Sequence, residues 1–158
     1  PDCDLARLHT TLRRFSMVNR LVSGWGAVYR SRVAPHLRRL GRPARVLDLG
    51  CGGGDVIARL AALARREGLV AEWVGVDPDE RALAVARRYA GPGIRFEATD
   101  SAALRAAGER FDLVISNHVL HHLEEAAFAA FRDDSLALVE GGPRGLVLHG
   151  GTPRGRAA

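Results

Sequence analysis

The stretch Val46-Leu47-Asp48-Leu49-Gly50-Cys51-Gly52-Gly53-Gly54-Asp55 restricts the fold of this chain more than any other. Val46, Leu47 and Leu49 fit a strand that is apolar on both faces. Four glycines follow almost without interruption, and then Val56, Ile57, Leu60 and Leu63 recur at helical spacing. Strand, tight turn and helix in that order open a βαβ unit. Glycine is needed where the chain turns sharply and a ligand touches bare backbone. The unpaired N–H groups at the helix start then face whatever sits in the turn.

The same rhythm continues downstream. Strands are expected at Arg45–Leu49, Glu72–Asp77, Ile94–Ala98, Asp112–Ser116 and Gly145–His149, with helices near 54–67, 79–90, 101–108 and 123–139. Alternation of this kind predicts an α/β, Rossmann-like, doubly wound parallel sheet with right-handed crossovers. Upstream, Leu5, Leu8, Leu12 and Phe15 predict a helix over 5–23, which Gly24-Trp25-Gly26 should break. A second helix carries Val28, Val33, Leu37 and Leu40, with Pro35 in its first turn or at a kink. The expected organisation is a helical extension over 1–43, one sheet domain over 44–149 and an irregular tail over 150–158.

Composition removes several function classes. With 158 residues the chain suits one domain, and 47% hydrophobic content argues against disorder. No apolar run approaches the roughly 20 residues that span a bilayer, so no membrane partner is expected. The acidic start does not resemble a signal peptide, and the missing initiator Met implies further residues upstream. Cys3 and Cys51 read as free thiols of a reducing, cytoplasmic setting, since a disulfide at Cys51 would distort the glycine turn. The net charge is +5, and all 23 basic residues are arginine. They are spread along helix faces without interleaved aromatics, so a nucleic-acid partner is disfavoured.

The glycine turn also discriminates between cofactors. With Gly50 and Gly52 as the first glycines of a dinucleotide fingerprint, the third position is Asp55, so that pattern fails. The stretch Asp48-Leu49-Gly50-Cys51-Gly52-Gly53-Gly54 instead resembles the first motif of class I S-adenosylmethionine-dependent methyltransferases. The resemblance implies S-adenosylmethionine as cofactor, held at Asp48, Gly50, Gly52 and Gly54. A rival reading has Asp48 merely hydrogen-bonding the loop. Val74-Gly75-Val76-Asp77 is similar to the second motif, with Asp77 on the ribose and Pro78 beside it. Pro78-Asp79-Glu80 also reads as a helix start with proline early in it. Phe96-Glu97-Ala98-Thr99-Asp100 matches the third motif, which implies Asp100 and Ser101 near the adenine. Asp100 serves equally as a helix N-cap.

Phe111-Asp112-Leu113-Val114-Ile115-Ser116-Asn117-His118 resembles the fourth motif in its small-molecule form, with Asn117 at the end of the central strand. Amide methyltransferases often carry Asn/Asp-Pro-Pro-aromatic there; Asn117-His118-Val119-Leu120 departs from it. The resemblance therefore implies methyl transfer to a small organic acceptor, with a hydroxyl on a metabolite or polyketide-like ring favoured. His121 or His118 is the candidate general base, and packing of the histidines against the sheet is the alternative. No metal is expected, because no carboxylate-rich cluster accompanies His118, His121 and His122. Arg20, Trp25 and Tyr29 are candidates for the substrate pocket, with ordinary packing favoured for Trp25. A full domain of this family has seven strands, and residues after His149 are too rich in glycine and proline to supply two more. That leaves a second reading, a shortened cofactor-binding module needing a partner chain, and an exposed fifth-strand edge through which copies self-associate.

Overall fold

A computed structural model describes residues 24–117, 125–141 and 146–150. Five strands form one all-parallel sheet in the order β3-β2-β1-β4-β5. They are β1 (Ala44–Leu49), β2 (Ala71–Val76), β3 (Ile94–Glu97), β4 (Leu113–Asn117) and β5 (Leu146–Gly150). The helices are α1 (residues 24–40), α2 (Asp55–Arg66), α3 (Glu80–Ala86, extended by a 3₁₀ turn over Arg87–Tyr89), α4 (Ser101–Ala106) and α5 (Glu125–Leu138). The chain starts in the middle, at β1, winds outward to β3, and then crosses back to β4. Ligands of such sheets bind beyond the strand ends where that reversal occurs. Among the described residues no helix is long and apolar enough to cross a membrane.

The doubly apolar strands are buried on both faces, as their composition requires. On one face Val46, Trp73, Leu113 and Ile115 pack against Ile57, Leu60 and Ala64 of α2 and against Trp25, Tyr29, Val33 and Leu37 of α1. On the other, Leu47, Leu49, Val74, Val76 and Val114 meet Leu104 of α4 and Leu138 of α5. Each fully buried leucine or isoleucine contributes roughly 1.5–3 kcal/mol.

One local reading is corrected. The expected helix over 5–23 lies outside the described residues, but residues 24–28 are helical, so Gly24-Trp25-Gly26 is itself part of a helix. Glycine costs about 1 kcal/mol in a helix, and burial of Trp25, 4% exposed, outweighs it. Pro35 lies, as expected, in the first turn of the α-helical stretch Ala34–Leu40, directly after a π turn over Tyr29–Val33 in which Ala34 N–H donates to the Tyr29 carbonyl five residues back. The widened turn accommodates a residue without an N–H, and the helix continues to a left-handed Gly41, φ 62°.

Asp112 directly precedes β4, where its N–H donates to the Arg45 carbonyl at 2.8 Å and its carboxylate holds the entry of β1. It accepts from Arg42 at 3.1 and 2.6 Å and from the backbone N–H of Arg45 at 2.8 Å, while His36 Nε2 donates to its carbonyl at 2.9 Å. Burial pushes the Asp112 carboxyl up, but Arg42 and the Arg45 N–H outweigh it and hold the group below the usual range. Other arginines are paired within the chain as well: Arg45 with Glu72 and Glu109, Arg95 with Glu72 and Glu97, Arg38 with Glu67, and Arg105 with Asp134. These ion pairs tie strand ends and helix ends of the domain to one another.

Candidate functional site

The turn between β1 and α2 is tied down by backbone bonds. Gly50 and Cys51 N–H both donate to the Val76 carbonyl, at 2.9 and 3.0 Å, which anchors the turn on the end of β2. Gly54 N–H closes it by donating to the Cys51 carbonyl at 3.0 Å. Gly50, Gly52 and Gly54 all have positive φ, at 69°, 52° and 77°. Gly54 is constrained twice, by its φ and by space. A Cβ there would lie 3.0 Å from Ala86 Cβ and 3.0 Å from Phe96 Cε1. Gly52 faces open space, with no atom within 4 Å of a Cβ position. The turn thus presents bare backbone outward and is closely packed inward.

Asp77 follows β2 directly and braces the turn. Its Oδ2 accepts from Gly52 N–H at 3.0 Å and its Oδ1 from Asp79 N–H at 2.8 Å. Pro78 lies between Asp77 and the helix cap, since the Asp79 side chain accepts from Arg81 N–H and caps α3. Proline is therefore one residue outside the helix, not early within it as expected, because Asp79 supplies the better N-cap.

Asp48 is 1% exposed, and neither carboxylate oxygen has a hydrogen-bond partner. The rival reading, a carboxylate bonded to the loop, is therefore not what this geometry contains. Burial, followed by the charge of Asp77, pushes its pKa up to about 8. The same burial, with Asp48 and Asp77 adding, holds the Cys51 thiol well above its ordinary range. Cys51 is a free, protonated thiol.

Asp100 caps α4, its Oδ1 accepting from Ala103 N–H at 2.8 Å. The Ser101 hydroxyl donates to Asp134 Oδ2 of α5 at 2.9 Å. Both side chains thus have structural partners at the end of β3. Asn117 closes β4, half-buried, opposite Gly150. His118, His121, His122 and Arg20 lie outside the described residues. Trp25 and Tyr29 are core residues, 4% and 0% exposed. Burial and then Glu67, which follows the last turn of α2, push the Tyr29 hydroxyl to about 12. Tyr29 therefore points toward the end of α2 remote from the glycine turn.

Sequence reasoning passed over Phe96 and Gly75. The signal was a glycine inside the apolar run Val74-Gly75-Val76, where a missing side chain marks a close approach. The profile of the methyltransferase domain matches residues 46–142, more than half of the chain, from β1 past the end of α5. The chain belongs to this methyltransferase domain family. Its sheet order and parallel register make it a class I, Rossmann-like methyltransferase domain. The domain is 34% identical over 111 residues to a ubiquinone biosynthesis O-methyltransferase of Sinorhizobium medicae, covering 65% of this chain and 42% of that protein. A protein of the same name from Cereibacter sphaeroides is 39% identical over 84 residues, 51% of this chain and 32% of its own length. The magnesium protoporphyrin IX methyltransferase of Synechocystis PCC 6803, solved with bound S-adenosylhomocysteine, superposes with a TM-score of 0.60. It is 25% identical, and the match covers 75% of this chain and 52% of that one. The methyltransferase domain therefore spans about half or less of the length of these relatives.

Proposed function

We propose that this domain binds S-adenosylmethionine across the Gly50–Gly54 turn and transfers its methyl group to a small organic acceptor, with a hydroxyl favoured. One observation carries the reading: the turn offers bare, outward-facing backbone at Gly52 beside Asp77 and above a buried, unpartnered Asp48. Phosphates are poor occupants of a turn with the carboxylates of Asp77 and Asp55 beside it. A ligand with hydroxyls to donate and positive charge to place suits those acids better. The residues present thus fit an adenosyl sulfonium compound, and the relatives' names and the bound ligand of the protoporphyrin enzyme agree with it.

In this reading Asp77 accepts the ribose hydroxyls while it keeps Gly52 in place, and Pro78 flanks them. The backbone of Gly50, Gly52 and Gly54 borders the amino-acid portion. Asp100 and Ser101 border the adenine from the end of β3, and Asn117 stands at the end of β4. S-adenosylmethionine supplies, when bound, an electrophilic methyl on a positively charged sulfur. The chain's part is mainly to hold the acceptor in line, an effect that reaches roughly 7–11 kcal/mol in favourable cases.

Asp77→Ala is expected to weaken S-adenosylhomocysteine binding by about 1.5–3 kcal/mol, the loss of charge-assisted hydrogen bonds. Titration calorimetry reads this directly, and unchanged affinity removes Asp77 from the ribose. His121, four residues beyond Asn117 in the chain, is proposed as the base that takes the acceptor's proton, with His118 as the alternate. His121→Ala should lower turnover by about 10²–10⁴-fold with cofactor affinity nearly intact. Full activity of that variant across the pH range eliminates the assignment.

A further inference from the structure

We propose that Phe96, which belongs to none of the cofactor-contacting positions, is the positioning residue that sets the shape of the glycine turn and through it cofactor affinity. The inference rests on the reading of that turn as the cofactor cradle. The parallel register aligns Phe96 with Gly75, and Gly75 with Asp48, in one row across the sheet. Gly75 has no side chain, and the Phe96 ring occupies the space where one would be. A Cβ on Gly75 would lie 2.6 Å from Phe96 Cδ1 and 2.7 Å from Cε1. The ring therefore lies against bare backbone of β2.

Its far edge reaches the turn itself. A Cβ on Gly54 would lie 3.0 Å from Phe96 Cε1 and 3.1 Å from Cζ. Cys51, at the other end of the turn, touches the same glycine of β2: its Sγ is 3.1 Å from the Gly75 Cβ position. One ring on an edge strand thus supports the last glycine of the turn, and the backbone it covers supports the first half. Close-packed contacts of this kind transmit small displacements, since interiors have no slack to absorb them. Tilting the ring moves Gly54, and with it the N-cap of α2.

Leucine at position 96 retains contact with Gly75 but lacks the distal ring atoms that meet Gly54. Alanine loses both contacts. A methyl on Gly75 meets the ring at 2.6 Å and Cys51 Sγ less closely at 3.1 Å, so most of its effect should vanish once the ring is gone.

The test is titration calorimetry of S-adenosylhomocysteine against the whole chain and its Phe96→Leu, Phe96→Ala, Gly75→Ala and Gly75→Ala/Phe96→Ala variants. Each is also unfolded in urea to separate affinity from stability. Phe96→Leu should stay folded and bind about three- to fivefold more weakly, and Phe96→Ala and Gly75→Ala about tenfold or more. The double variant should lose far less than the product of the two single losses, because contacting residues are non-additive. A folded Phe96→Leu with wild-type affinity overturns the proposal even where Phe96→Ala does not fold, and so does a double variant whose losses multiply. Absence of binding by the wild type overturns the cofactor reading, and this inference with it.

Discussion

Gly54→Ala should abolish detectable cofactor binding and cost about 2–4 kcal/mol of stability, combining a strained backbone with an overpacked contact. The φ of 77° is one that side-chain-bearing residues rarely adopt. The added methyl would meet Ala86 at 3.0 Å and the Phe96 ring at 3.0 and 3.1 Å, with no flexible chain end to yield. Relief requires the turn to shift, and the turn is where the cofactor's backbone contacts are proposed. Urea unfolding and calorimetry with S-adenosylhomocysteine should both register the change. A variant with the wild-type midpoint and affinity contradicts the packing described for the turn.

The second large effect is a pH dependence. Asp48 has a pKa raised to about 8 in the folded chain, against an ordinary value of 3.8, chiefly because it is buried. The folded state therefore holds a proton that the unfolded chain releases above about pH 4. The associated stabilisation is complete below that value and is lost as pH rises toward about 8. Asp48→Asn keeps the shape and never ionises. The cofactor-free wild type should be less stable at pH 8.5 than at pH 5. The substitution should reduce that difference by at least about 1.4 kcal/mol, the worth of one pKa unit. Parallel pH profiles for the two proteins contradict a neutral Asp48.

The sheet was legible in the sequence because its inner strands are apolar on both faces and its glycine turn has one structural meaning. Strand ends were less so. Asp112 reads as the first residue of β4 from its neighbours and does donate to β1 through its N–H, while its side-chain bonds to Arg42 and the Arg45 N–H carry no signal in the sequence. The helix through Gly24 and Trp25 was hidden for a related reason: local propensity counts two glycines against it, and only the tertiary core shows the indole buried. Within the candidate site, Asp77 follows β2 and the glycines form the turn between β1 and α2, a placement readable from the order of apolar runs and glycines. The dual bracing by Asp77 and the Phe96–Gly75 contact depend on strand register, which no residue announces by type. Asp100 was readable as an N-cap from its place ahead of Ser101, whereas the Ser101 bond to Asp134 is readable only once α4 and α5 are in place.

The strand order also bears on how the domain is made. β1, the glycine turn, β2, Asp77 and β3 all lie between Ala44 and Glu97, so everything that shapes the turn leaves the ribosome before β4 exists. One side of β1 is then paired with β2, while the other waits for Leu113–Ser116. Folding from the N-terminus during synthesis thus passes through a nascent chain with an assembled turn beside an open strand edge. Leu47 and Leu49, buried in the finished sheet, belong to that edge. A pause in translation between Glu97 and Leu113 prolongs the interval in which a foreign strand competes with β4 for the centre of the sheet.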